Sequence, residues 1–352
     1  MPMPPTPPPT GSGLERYQNM LAGKPCDFVP RIPILMRYAA EHIGSNYGAL
    51  TASHRVLVRA NQQCAADFGI DQLSAISDPY RETQGFGATI LHEPATGARI
   101  EKPPLAGVEL DAAALASLPC PDPMRTPRMF DRIEAIRLYA AQNAATHSIL
   151  GWIEGPAAEA ADIRGVESFF MDLLLEPERT GGLMDICLET AIAFAAAQIA
   201  AGADTIGIGD AVASQVSAAA YEEHIQPREK KLIDAIHRQN AKVRLHICGN
   251  ITHLLPGIAN LGVDILDVDH MVDMRTARAA VGRAVTLSGN IDPVAGVLRG
   301  TPETIRRHMR ETYAQVGNPY AVNAGCEIPS GTPPENLRAL CEPIPWAAAR
   351  AL

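Results

Sequence analysis

"VRLHICGNITHLLPGIANLGVDILDVDH", residues 243–270, holds two short apolar runs separated by a stretch with helical spacing. The first run ends in His246 and Cys248, and Gly249 follows at once. Residues two apart in an extended chain share a face, so the imidazole and the thiol point the same way. The second run ends in Asp267 and Asp269. Apolar strand, helix, apolar strand is the pattern of two parallel strands joined by a right-handed crossover.

The same alternation extends in both directions. Upstream, "MFDRIEAIRLYAAQNA" (129–144) leads to "HSILGWIEG" (147–155), a long helix over 181–201 leads to "DTIGIGD" (204–210), and "YEEHIQPREKKLIDAIHRQN" (221–240) leads to "KVRLHICG" (242–249). Downstream, "MRTARAAVG" (274–282) precedes "VTLSGNID" (285–292), and "PETIRRHMRETYAQVG" (302–317) precedes "YAVNAGC" (320–326). Six strands after residue 145, one around Ile32–Met36 and an eighth expected in "DQLSAISD" (71–78) make a closed α/β (β/α)8 TIM barrel. An open doubly wound sheet is the rival, but neither G-x-G-x-x-G nor a P-loop occurs. Residues 14–352 are expected to form one barrel domain with an N-terminal helical and hairpin extension. "SHRVLVRANQQCAADFGI" (53–70) supplies a helix ending at Gly69, and "GATILHEPATGARIEKPP" (87–104) a hairpin turning near Ala95–Gly97. "MPMPPTPPPTGSG" (1–13) reads as a disordered Pro-rich tail without the basic and apolar regions of a signal peptide.

Composition narrows the function. The 352 residues are 47% hydrophobic, enough for a large core, and carry a net charge of -9 with no dense Lys/Arg tract. That argues against nucleic acid or an anionic membrane as partner. "MDICLETAIAFAAAQIAAGAD" (184–204) carries Asp185 and Glu189 and reads as a buried helix, not a membrane span. Seven scattered cysteines in an odd number, with no export signal, imply reduced thiols and a cytoplasmic location.

Barrel chemistry sits at the C-terminal ends of the strands. Those ends carry Glu154, Asp210, His246 with Cys248, Asp267 with Asp269, Asn290 with Asp292, and Cys326 with Glu327. Cys326 ends the last strand and approaches the mouth from a different side from His246 and Cys248. One nitrogen and two thiolate sulfurs suit tetrahedral Zn²⁺ with one position open, and soft sulfur disfavours Mg²⁺ or Ca²⁺. Core filling is the plainer reading of each cysteine taken alone. Cys26, Cys64, Cys120, Cys187 and Cys341 are assigned no role. His224, His237 and His308 are expected on solvent-facing helix surfaces, while His253 and His270, after strand ends, are candidates for support around the ligands. Pro79, Tyr80 and Phe86 are expected to line the rim.

The set "HICGN" (246–250), "SGNIDP" (288–293) and "NAGCEIP" (323–329) resembles the uroporphyrinogen decarboxylase superfamily, in its zinc-dependent, corrinoid-linked methyltransferase branch. "GWIEGPAAEAADIRG" (151–165) and "IGIGDAVASQVSAAAYEEHIQPREKKLIDAIH" (206–237) are similar to the same branch. The resemblance implies a TIM barrel with Zn²⁺ on His246, Cys248 and Cys326, working with methylcobalamin or cob(I)alamin on a separate corrinoid protein. Decarboxylation itself fits poorly: "LMRYAAEHIG" (35–44) keeps Met36 and Arg37 of an arginine-rich substrate segment but lacks its second arginine. Met36, Asp78, Asp210 and Asn290 are the expected substrate contacts, and Glu154 and Asp269 the expected catalytic carboxyls. Asp267 or Asp269 is expected to hold His246 or to fill the fourth zinc position.

Two directions of transfer follow. In the expected one, a small methylated donor such as a methoxylated aromatic gives its methyl group to cobalt, with Glu154 protonating the leaving group. In the alternative, a methylated corrinoid gives its methyl group to a thiol of the coenzyme M type, which the two thiolate ligands favour. A decarboxylase-like or non-catalytic barrel with structural zinc is the remaining reading, and it requires a fourth protein ligand. The oligomeric state is left open.

Overall fold

The structure, a computed structural model, describes residues 10–347. Seven parallel strands form one sheet in the order β1 (Gln72–Ser74), β4 (Ser148–Glu154), β5 (Thr205–Gly209), β6 (Lys242–His246), β7 (Ile265–Val268), β8 (Thr286–Gly289) and β9 (Tyr320–Ala321). The remaining strands, β2 (Ile90–Glu93) and β3 (Gly97–Ile100), pair antiparallel as the expected hairpin. The eighth position of the barrel belongs to residues 30–34. Arg31 bridges Val322 in parallel, the Ile32 N–H donates to Val322 O at 2.8 Å, and the Asp71 N–H donates to Arg31 O at 2.8 Å. Pro30 and Pro33 have no N–H to donate, so this edge makes isolated bridges and not a ladder. The barrel is therefore closed as expected, with one correction: Met36 does not belong to the strand but begins the helix Met36–His42, at φ 34°.

The strands are buried on both faces, which is why they read as near-continuous apolar runs. Their outer faces and the surrounding helices form the large core, around Ile153, Ile206, Val243, Leu266 and Phe194. The lumen is filled in layers. Helix Gly13–Leu21, started by a Ser12–Glu15 capping box, seals the N-terminal end by packing Tyr17 and Met20 on Ile32, Ile265 and Ala321. Higher up, Ile34, Ile76, Leu150 and Trp152 make a second apolar layer, with Met36 against it. Residues 10–13, expected in the tail, are held: Gly13 is helical, and the Thr10 and Gly11 N–H groups donate to Asp27.

Helix Pro177–Ala201 is long and apolar enough to cross a membrane by length and composition. Here it packs on the barrel, and Gln198 fixes it there by accepting from the Trp152 N–H and donating to the Trp152 carbonyl. The stretch "ITHLLPGIANLG" gives only the turn Leu255–Ile258, because Pro256 and Gly257 stop propagation. His224, His237 and His308, expected on solvent-facing surfaces, are half-buried.

The hairpin folds back over the barrel mouth. The Tyr47 N–H donates to Pro94 O, Tyr47 Oη donates to Ser77 O at 2.6 Å, and the Tyr47 ring lies against Gly97. Gly97 has φ 78°, and a Cβ there would meet the ring at 2.7 Å. Gly97→Ala is expected to destabilise the chain by about 1–2 kcal/mol in urea unfolding, since the strained backbone and the displaced ring act together.

Candidate metal centre

β6 and the loop after β9 bring three ligand atoms together. His246 ends β6 and Cys248 lies two residues further along the same face. His246 Nε2 is 3.0 Å from Cys248 Sγ and 3.6 Å from Cys326 Sγ, and the sulfurs are 3.6 Å apart. Among the described residues these three form a group whose ligand atoms lie within 4.8 Å of one another, with no fourth His, Cys, Asp or Glu in it. Ligand atoms around tetrahedral Zn²⁺, with bonds of about 2.0–2.3 Å, stand about 3.5–3.8 Å apart. The two separations that involve Cys326 match this spacing and the His246–Cys248 pair, at 3.0 Å, is closer, so one nitrogen and two soft sulfurs fit zinc with one position left for a guest once that pair opens by about half an ångström. The absence of a fourth protein ligand disfavours a structural site.

Arg244 and Asp267 orient the imidazole. Arg244 spans the lumen from β6, donating to Gln72 Oε1 at 2.9 Å, to Ile32 O at 3.0 Å and to Asp267 Oδ2 at 2.8 Å. The same Asp267 oxygen faces His246 Nδ1 at 3.4 Å, an ionic contact that turns Nε2 toward the sulfurs. Burial would raise the Asp267 pKa, but Arg244 and then His246 outweigh it and hold the carboxyl at about 2. Burial would likewise lower the His246 pKa. The Cys248 charge, the Asp267 carboxylate and the contacts with both cysteines raise it well above the usual value. A hydrogen bond from Cys248 and the nearby imidazole pull the Cys326 thiol down to about 4, while the same sulfur–sulfur contact pushes Cys248 up.

Cys326 opens onto a cavity of about 610 Å³, walled also by Asp269, His270, Asp292, Glu327 and Arg37. Tyr47 and the hairpin tip at Ala95 and Thr96 line it too, and so do Pro293 and Val294. Pro79, Tyr80 and Phe86, expected at the rim, are not among its walls, and Phe86 is core. The hairpin's place over the mouth had no signal in the sequence, because a loop's landing point depends on packing far from it in the chain.

The strand-end carboxyls divide into different tasks. Asp269 accepts from the Gly249 and Met271 N–H groups and lies 2.8 Å from His270 Nδ1, so it shapes the loop after Cys248. Asn290 donates to the carbonyls of Asp269 and Val272, supports the loop after β7, and is not among the cavity walls. Glu154 accepts from Arg81 at 2.7 Å and from the Trp152 indole at 3.3 Å. Burial pushes its pKa well above the carboxylate range; Arg81 opposes this, and Glu82 adds to it. It does not wall the cavity. Asp78 is clamped by Arg128 through both oxygens, so this expected substrate contact is a buried ion pair. His253 bonds the Val216 carbonyl and does not support the ligands, whereas His270 does face the cavity.

Asp210 is fully buried and accepts from the Ala157 and Ala158 N–H groups, capping the helix Pro156–Arg164. This side chain was expected on substrate but belongs to the packing below the mouth. Burial pushes its carboxyl up to about 7, against the pull of those N–H groups and of Glu229. Between about pH 4 and 7 the folded chain thus keeps a proton that the unfolded chain has released, and stability falls as pH rises through that window. Asp210→Asn keeps the helix cap and removes the titration. Its unfolding free energy is expected to exceed wild type by about 4 kcal/mol at pH 8 and to equal it at pH 4. Equal differences at both pH values would contradict this.

The chain shares 34% identity over 220 residues with a methylcobamide:CoM methyltransferase, MtbA, of Methanosarcina mazei, an alignment covering 62% of this chain and 63% of that protein. With the methylcobamide:CoM methyltransferase MtaA of Methanosarcina barkeri it shares 28% over 332 residues, covering 92% and 95%. The fold matches a solved methyltransferase from Methanosarcina mazei at TM-score 0.82 and 22% identity, over 94% of this chain and 97% of that one. Residues 13–344 match the family model for uroporphyrinogen decarboxylase (URO-D), and the chain belongs to that family.

Proposed function

We propose that the protein transfers a methyl group from a methylated corrinoid, carried on a separate partner protein, to a small thiol. The observation that carries this reading is the convergence of His246 Nε2, Cys248 Sγ and Cys326 Sγ beside the mouth cavity, with no fourth protein ligand among the described residues. Zinc held by these residues supplies thiol activation, lowering the pKa of an arriving sulfhydryl so that its sulfur is nucleophilic. Two cysteine thiolates offset the charge of the cation, which suits a thiol guest better than the polarisation of an ether oxygen. Asp267 and Arg244 fix the imidazole, and the cavity walls hold the acceptor. In the transfer a C–S bond forms and the Co–C bond breaks, its electron pair stays on cobalt as Co(I), and the thiol proton leaves to solvent.

The opposite direction, from a methoxylated aromatic to cobalt, has less support. The acid it needs, Glu154, is tied to Arg81 and lies outside the cavity walls. The named relatives also support the thiol as acceptor. The test is to mix zinc-loaded protein with methylcobalamin and 2-mercaptoethanol and follow the methyl-Co(III) absorption. The reading expects its decay together with thioether formation. No reaction with thiols, combined with methyl-Co(III) formation from Co(I) and a methoxyaromatic, contradicts it. A cytoplasmic location belongs to the same proposal and accords with seven free cysteines.

A further inference from the structure

Resting on the thiol-acceptor reading, we propose that the acceptor carries a neutral or cationic tail and that the cavity disfavours an anionic one such as a sulfonate. The wall beside Cys326 holds the Asp269 and Asp292 carboxylates, together with Glu327, whose carboxyl burial pushes up to about 7, against one guanidinium, Arg37, and one imidazole, His270. Both of the latter already have acidic partners. Arg37 Nε lies 2.8 Å from Glu41 Oε1, and Glu41 is itself fixed by the Ser330 hydroxyl and the Gly331 N–H. His270 stands between carboxylates, with Nδ1 2.8 Å from Asp269 Oδ1 and Nε2 3.5 Å from Asp292 Oδ2.

The carboxylates on the His270 side are fixed in place. Asp292 Oδ1 accepts from the Val294 and Ala295 N–H groups, leaving Oδ2 toward His270 and the cavity. Asp269 is fixed by the Gly249 and Met271 N–H groups. Zinc with two thiolates adds no net charge. An anionic tail entering this space therefore meets excess negative charge and finds no cation without a partner among the walls named. A like charge about 6 Å away in a partly buried site weakens binding roughly tenfold or more, and an ammonium gains by a similar factor. The cavity also supplies the Tyr47 ring and the Thr96 and Ser330 side chains, which are compatible with a short neutral chain.

The test uses the methylated products, whose sulfur no longer titrates, so that affinity reports on the tail alone. Zinc-loaded protein is titrated calorimetrically with 2-(methylthio)ethylamine, 2-(methylthio)ethanol and 2-(methylthio)ethanesulfonate, and the parent thiols are assayed with methylcobalamin in parallel. The expected order places the amine and the alcohol at least about tenfold tighter than the sulfonate. In Asp292→Asn, which keeps the backbone cap, the amine-to-sulfonate ratio is expected to fall by about tenfold. Asp292→Lys is expected to lower it further. Equal or tighter binding of the sulfonate, binding of none of the three, or a ratio unchanged in both variants overturns the proposal. The expected order with no methyl transfer to any thiol removes the proposed reaction but upholds the charge preference. Turnover with the sulfonate bound tightest does the reverse.

Discussion

Exchange of Cys326 for serine is expected to reduce bound zinc from about one per chain to a small fraction of that, and to lower methyl transfer at least a hundredfold. A serine hydroxyl stays protonated where the cysteine is pulled down to about 4, so one of the two anionic ligands is lost. The rate then falls by the several kcal/mol that a catalytic metal contributes, where each 1.36 kcal/mol is about tenfold. Cys120→Ser, at an exposed cysteine remote from the trio, is the control and is expected to keep both zinc and rate. Metal analysis and the methylcobalamin assay on the same preparations decide the matter. Equal zinc in wild type and Cys326→Ser contradicts the assignment.

The second large effect is expected at Asp267. Asp267→Asn leaves Arg244, 1% exposed, buried without its anionic partner, and withdraws the contact that orients His246. Removing one member of a buried ion pair costs about 3 kcal/mol or more. Loss of the carboxylate behind a ligating imidazole weakens metal binding about 10–100-fold. The two consequences separate experimentally: urea unfolding of the metal-free protein reads the first, and zinc competition with a chromophoric chelator reads the second. A variant that loses stability yet keeps wild-type zinc affinity would show that Asp267 supports Arg244 alone.

The barrel was legible because parallel strands buried on both faces read as short apolar runs between amphipathic helices, as in "VRLHIC" and "DILDV". The candidate metal ligands were legible for a related reason. The two-residue period of a strand fixes His246 and Cys248 on one face, and the strand end puts Cys326 at the same mouth. The strand-end rule pointed equally to Asp210 and Glu154, whose carboxyls the fold engages on a helix cap and on Arg81, because the end of a barrel strand is also where helix N-termini need caps and where buried arginines need partners; Asp78, expected from the resemblance alone, is engaged in the same way. Asp210 caps a helix whose first turn lies 52 residues earlier, and Asp78 meets Arg128 across 50 residues. Neither separation leaves a local pattern. Arg244 escaped for the opposite reason. A strand arginine in mid-run reads as an edge or surface residue, and only barrel closure shows that it crosses the lumen to Gln72 and Ile32. Arg37, His270 and the hairpin tip share the cavity with Cys326 through packing of segments spread over most of the chain.

The proposed direction of transfer departs from the expected one for a physical reason as well. Sequence placed Glu154 at a strand end, where it could serve as an acid. In the folded chain its carboxyl is held by Arg81 and Trp152. What faces the cavity next to the sulfurs is a fixed set of carboxylates around His270, an arrangement better suited to selecting the acceptor than to protonating a phenolate.

Zinc K-edge X-ray absorption on the zinc-loaded wild-type protein reads the ligand set itself. Two sulfurs at about 2.3 Å and one imidazole nitrogen at about 2.0 Å are expected, with one further light atom, and a third sulfur at about 2.3 Å once 2-mercaptoethanol is added. A first shell without sulfur, or one already complete with four protein ligands and unchanged by the thiol, would contradict the assignment.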